Sequence, residues 1–134
     1  MKSKILLFLF VVALFTSCNK IEKTPAPSSI INGKRWKLVS YNLNGTEIVG
    51  LYKNCTILFN TNGTLSVVND GKNYSGTWKE FSDPPKVEMN ISSSDNYVKL
   101  LSKTWETLFL TPGRIQLADS KINPGETIKL DLIP

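Results

Sequence analysis

Two cysteines, Cys18 and Cys55, eleven acidic residues and no histidine make up the reactive inventory of this chain. Without histidine, Ser-His-Asp and Cys-His nucleophilic arrangements are excluded. A zinc site would have to draw on one free thiol and scattered carboxylates, which do not fall at metal-ligand spacing. The acidic residues are mostly single, outward members of alternating runs, such as Glu88 and Asp131, so a glycosidase-like carboxylate pair is not expected. No glycine-rich loop is placed to cradle a phosphate; the glycines serve turns and bulges. The residue types therefore point away from an enzyme. No catalytic residue, metal or cofactor is assigned.

The aromatic side chains offer binding chemistry instead. Trp36, Trp78 and Trp105 accompany Tyr41, Tyr74 and Tyr97 on several separate segments. A large aromatic either packs a core, with its polar atom satisfied, or lines an apolar pocket. Trp36 can do either, as a plug of a closed end or as a pocket wall. Trp105 lies among Thr104, Glu106 and Thr107, which suggests a half-exposed position. Tyr97 neighbours a polar stretch at 92–96. Trp36, Tyr97 and Trp105 are thus the candidate ligand-binding residues, the last two at a rim.

Cys18 carries chemistry of a different kind. Lys2 and Lys4 precede an unbroken apolar run, ILLFLFVVALF at 5–15, closed by Thr16-Ser17-Cys18. A basic start, a short apolar run and small residues before a cysteine form a secretory signal. The run is too short to span a bilayer, which takes roughly 20 apolar residues. Phe15-Thr16-Ser17-Cys18 resembles the lipobox of bacterial lipoproteins, whose cysteine becomes the acylated first residue of the mature chain. The implied organisation is a signal peptide at 1–17, a lipidated Cys18 with a flexible tether through 29, and one domain at 30–134. The tether, NKIEKTPAPSS after the cysteine, has two prolines and no apolar periodicity.

With Cys18 acylated, Cys55 has no partner and is expected to be a buried small hydrophobe. Loss of Lys2 and Lys4 lowers the net charge from +5 to +3. The remaining lysines are scattered, which excludes the basic stripe that nucleic acid requires. Five Asn-x-Ser/Thr triplets, at Asn44, Asn54, Asn62, Asn73 and Asn90, follow from turn asparagines beside strand threonines.

The elements that must position these residues read as short strands. WKLVSYNL at 36–43 meets Asn44-Gly45, a strong hairpin signal. CTILFN at 55–60 puts Cys55, Ile57 and Phe59 on one face. Strands follow at 64–68 and 74–81, separated by Asp70-Gly71. Asp83-Pro84-Pro85 interrupts the ladder. KVEMNIS at 86–92 turns Val87, Met89 and Ile91 inward, and TIKLDLI at 127–133 does the same for Ile128, Leu130 and Leu132. Segments 97–101 and 105–111 make one long or two short strands, with a short helix as the alternative within 93–103. Turn signals every 8–12 residues predict an all-β, single antiparallel up-and-down β-barrel of about eight strands.

The run GKRWKLVSY at 33–41, followed by Asn44-Gly45, resembles the opening strand of the lipocalin-like domains of small bacterial lipoproteins, relatives of the lipocalins and intracellular fatty-acid-binding proteins. Segments 55–59 with Asn62-Gly63-Thr64, 74–78, 105–110, 115–117 and 128–132 are similar in turn. Two residues rather than the usual one separate Gly33 from Trp36, and there is no Thr-Asp-Tyr loop. The resemblance implies the barrel and not transport of a fatty acid or retinoid-like ligand. The closed β architecture, the membrane-tethered location and the aromatics on several strands lead us to expect a monomeric, lipid-anchored protein of the bacterial cell envelope, at the outer membrane, that binds a small hydrophobic or amphipathic ligand. The alternative is a filled barrel serving as a scaffold for an envelope protein partner. An eight-stranded barrel is just wide enough for either.

Overall fold

A computed structural model describes residues 26–119, 121 and 125–134. The signal segment, Cys18 and the tether up to residue 25 lie outside the described residues. The chain forms β1 (Arg35–Leu43), β2 (Thr46–Glu47), β3 (Thr56–Phe59), β4 (Thr64–Asn69), β5 (Lys72–Ser82), β6 (Pro85–Ser92), β7 (Thr104–Leu110), β8 (Arg114–Asp119) and β9 (Glu126–Leu132). Two short α-helices accompany them, α1 (Pro27–Ile31) and α2 (Asn96–Leu100), with a 3-10 turn at Val49–Leu51. Neighbouring strands pair antiparallel in the order β2-β1-β3-β4-β5-β6-β7-β8-β9, and β1 also pairs β9. That last pairing closes an eight-stranded barrel, with β2 as an appendage on β1, so no long edge is left open.

The turns follow from their residues. Asn44-Gly45 and Asp70-Gly71 both take positive φ at both positions, the twist that matches two-residue hairpins. Pro85 opens β6 instead of ending a ladder, a position where its missing N–H costs nothing. Inward alternation appears as expected: Val87, Met89 and Ile91 are buried while Glu88 and Asn90 face outward.

Two features depart from the sequence reading, and a bulge that no local pattern marks re-phases β1. Residues 27–29, read as tether, form the start of α1; Pro27 opens the helix and the Ser28 amide donates to Glu80 Oε2 at 2.8 Å. Residues 97–101 are not a strand: Asp95 caps α2, its Oδ1 accepting from the amides of Tyr97 and Val98. A bulge at Val39, between the Leu38 and Ser40 pairings with β9, shifts the phase of β1. Trp36 and Leu38 point inward ahead of the bulge and Tyr41 after it, where strict alternation would have chosen Ser40.

The barrel has two ends. At one, called here the α1 end, the chain enters β1, and the β3–β4, β5–β6 and β7–β8 turns and the C-terminus gather. At the other, the α2 end, lie the β1–β2 hairpin, the β4–β5 turn, the segment 93–103 carrying α2, and the β8–β9 connection.

Candidate functional site

The α1 end is plugged by apolar and aromatic groups. Trp36 is fully buried and its indole N–H donates to the Ile31 carbonyl of α1 at 3.4 Å. Phe59 and Trp78 meet edge to face at 5.3 Å, and the Trp78 indole N–H donates to the Asn60 carbonyl at 2.9 Å. Each indole has its partner; Asn32 Oδ1, just after α1, and Thr107 Oγ1 on β7 are buried at this end with no hydrogen-bond partner.

The α2 end is built differently. Tyr41 stacks on Tyr52 at 5.5 Å and meets the edge of Trp105 at 6.1 Å; Tyr52 in turn meets Tyr97 at 6.0 Å. Over this aromatic floor α2 and its flank press two aliphatic side chains, Val98 and Leu101, both fully buried. Polar contacts hold the segment in place. The Tyr52 hydroxyl donates to the Tyr97 carbonyl at 2.9 Å, the Trp105 indole N–H to the Leu101 carbonyl at 3.0 Å, and the Ile91 amide to Ser102 Oγ at 2.9 Å.

Beside this cap runs a charged bar. Lys103 Nζ lies 2.5 Å from Glu126 Oε2 and 3.6 Å from Asp119 Oδ2, and the Tyr41 hydroxyl donates to Glu126 Oε2 at 2.7 Å. The ammonium also sits 5.1 Å from the Trp105 ring centroid. Glu126 and Asp119 are buried, so the pairing with Lys103 is what makes two carboxylates tolerable there. Burial, then the Glu126 carboxylate, push the Tyr41 hydroxyl well above its ordinary range. Burial likewise raises Tyr52 and pushes the Cys55 thiol up to about 12.

The structure thus brings Tyr97 and Trp105 together at one end and sets Trp36 at the other. Trp105 is not half-exposed: it is fully buried, and its polar neighbours Thr104 and Glu106 simply alternate outward around it. Tyr97 is at the rim, 40% exposed. Tyr41, one of the aromatic set noted in sequence, joins Tyr97 and Trp105, and Tyr52, Lys103, Asp119 and Glu126 complete the site without having been singled out there. Only the β1 bulge turns Tyr41 inward, and the Lys103 and Glu126 pairing joins residues 23 apart. Cys55 is buried as expected, on the face it shares with Ile57 and Phe59. No group of three or more His, Cys, Asp or Glu side chains that could hold a metal occurs among the described residues.

Exposure is zero for Trp36, Tyr41, Ile57, Phe59, Val67, Met89, Trp105, Ile128 and Leu130. A water-sized sphere touches none of them, so the barrel in this state is filled by its own side chains.

No family model and no curated protein sequence matches this chain. Solved structures do. A DUF4847 family protein from Bacteroides vulgatus superposes with a TM-score of 0.58 at 13% identity, over 78% of this chain and 95% of that one. Japanin from Rhipicephalus appendiculatus, bound to cholesterol, superposes with a TM-score of 0.53 at 14% identity, over 82% and 80%. The fold is lipocalin-like. At these identities the likeness concerns the path of the backbone and leaves the ligand to be argued from the site.

Proposed function

We propose that this chain is a non-catalytic, lipid-anchored barrel of the bacterial cell envelope that binds a small hydrophobic or amphipathic molecule at the α2 end. The observation that carries the reading is the cap. One segment, 93–103, closes that end with two aliphatic side chains laid on an aromatic floor, and polar contacts at its margin hold it shut. When the segment lifts, the space of Val98 and Leu101 becomes an apolar cleft floored by Tyr41, Tyr52 and Trp105. The Trp105 indole N–H, the Tyr52 hydroxyl and the Lys103 bar then orient a polar group of the ligand. Cholesterol bound to Japanin, a barrel of the same fold, supports an apolar ligand for this architecture. Cys18 supplies the anchor, and acyl chains contribute about 0.8 kcal/mol per buried methylene.

A second reading is favoured by the zero exposure of the interior: a permanently filled barrel that presents its loops to an envelope protein. One experiment separates the two. Native mass spectrometry of the full chain, extracted from membranes, is paired with a thermal-shift panel of fatty acids, sterols and aromatic compounds. The binding reading expects a co-purified mass, or stabilisation of about 2.7 kcal/mol at 100-fold excess over the dissociation constant. It also expects a tryptophan fluorescence change that Trp105→Phe diminishes. No bound mass and no shift across the panel would leave the scaffold reading standing.

A further inference from the structure

The large exposed hydrophobic side chains are not spread evenly. Among the described residues six are well exposed: Phe81 at 41%, Leu108 at 56%, Phe109 at 49% and Ile133 at 37% share the rim of the α1 end, while Leu51 at 47% and Tyr97 at 40% lie at the other. Pro84, in the β5–β6 turn, joins the first four; with Phe81, Asp83, Lys86 and Thr104 it lines a shallow groove of about 180 Å³. β7 runs past the last β6 pairing, at Glu106, so Leu108 and Phe109 stand on strand that β6 does not cover. A β-bulge between Thr107 and Phe109 turns them outward. The interior is already filled by other side chains, so these residues serve no core.

The same rim is where the chain comes in. The described chain begins at Ala26, directly ahead of α1. From Cys18 to Ala26 is eight residues, a reach of roughly 28 Å fully extended. A strand such as β9, seven residues long, covers roughly 23 Å. A chain tied to a bilayer at Cys18 would need nearly its whole tether to double back along the barrel before the α2 end could touch the lipid. The α1 end touches it with slack to spare.

We propose that the α1-end rim of Phe81, Pro84, Leu108, Phe109 and Ile133 is a membrane-contact surface, seated in the headgroup boundary of the bilayer that holds Cys18, so that the α2 cap faces away from the lipid. The inference rests on the anchoring part of the proposed function. Aromatic and aliphatic side chains interleaved with a lysine, here Lys86 beside Phe81, suit the boundary between headgroups and acyl chains. The orientation gives the barrel a working direction. Its ligand end meets the aqueous compartment while its plugged end rides on the membrane.

The test uses the full chain reconstituted in vesicles whose lipids carry brominated acyl chains, which quench a nearby indole. Phe109→Trp and Ile133→Trp place probes on the rim, the second outside every strand; Leu51→Trp places one on the exposed 3-10 turn at the α2 end. Quenching beyond the wild-type background, at least twofold, is expected for both rim probes and none for Leu51→Trp. Equal quenching at the two ends, or none at the rim, overturns the proposal. Mass spectrometry of Cys18 in the same samples reports the anchor separately. Rim quenching without an acyl chain on Cys18 would keep the contact surface and discard the anchor; an acylated chain with an unquenched rim would do the reverse.

Discussion

The two ends of this barrel are closed by opposite means. At the α1 end, Trp36, Phe59 and Trp78 fill the space, and the indole N–H groups of both tryptophans are satisfied by backbone carbonyls from adjoining segments, Ile31 and Asn60. At the α2 end a single inserted segment supplies the seal, and its security depends on tyrosine hydroxyls, a serine and a lysine bracketed by two carboxylates. An apolar plug comes out only with the fold. A hydrogen-bonded cap over apolar side chains can be lifted locally, because its polar groups find water when it opens. The contrast is the physical basis for proposing a ligand site at one end and not the other.

The largest effect is expected at the plug. Trp36→Ala should cost about 3–5 kcal/mol of global stability in urea titration, as expected for truncating a fully buried tryptophan. A cost below about 1 kcal/mol would mean the α1 end is as loosely closed as the α2 end, and the contrast would fail.

Lys103→Met comes next. It strands Glu126 and Asp119 beside each other with no cation, and should cost about 2–3 kcal/mol, less than a fully buried pair because Lys103 keeps some exposure. Its sharper signature is local. Cys55 belongs to the α2 end, and labelling of its thiol under native conditions should accelerate at least tenfold in this variant. Unchanged labelling would show that the charged bar does not hold the cap.

Alkali gives the smaller effect. The Tyr41 and Tyr52 hydroxyls and the Cys55 thiol, all at the α2 end, titrate higher in the folded state than their unfolded values of about 10 and 8.5. The folded protein therefore holds protons that the unfolded chain releases. Stability from these groups is complete below about pH 8.5 and declines as pH rises toward 12, by at most about 1.4 kcal/mol per pH unit for each group. Tyr41→Phe should flatten that decline in denaturation curves taken between pH 8 and 11. An equally steep decline would place the titrating groups elsewhere.

Much of the scaffold was legible because its rules are local. Asn44-Gly45 and Asp70-Gly71 announce their turns, and the alternation of 86–92 and 127–133 names its inward faces. Cys55 followed from its place beside Ile57 and Phe59. The candidate site was far less legible. A single bulged residue, Val39, decides that Tyr41 and not Ser40 enters the barrel. Trp105 was obscured by polar neighbours that face the other way. α2 did carry a signal, Asp95 as an N-cap ahead of Asn96, but five residues are too few for a helical period to show. The Lys103, Asp119 and Glu126 cluster is assembled by barrel closure, which no local pattern encodes.

The central claim is that the α2 end opens while the α1 end stays shut. Residue-resolved hydrogen exchange at increasing urea tests it most directly. The account predicts that the amides of Ile91, Val98 and Leu101 exchange through a local opening that is nearly insensitive to urea, while those of Trp36 and Leu38 exchange only through global unfolding. Exchange of all five with one common free energy and one urea dependence would contradict it.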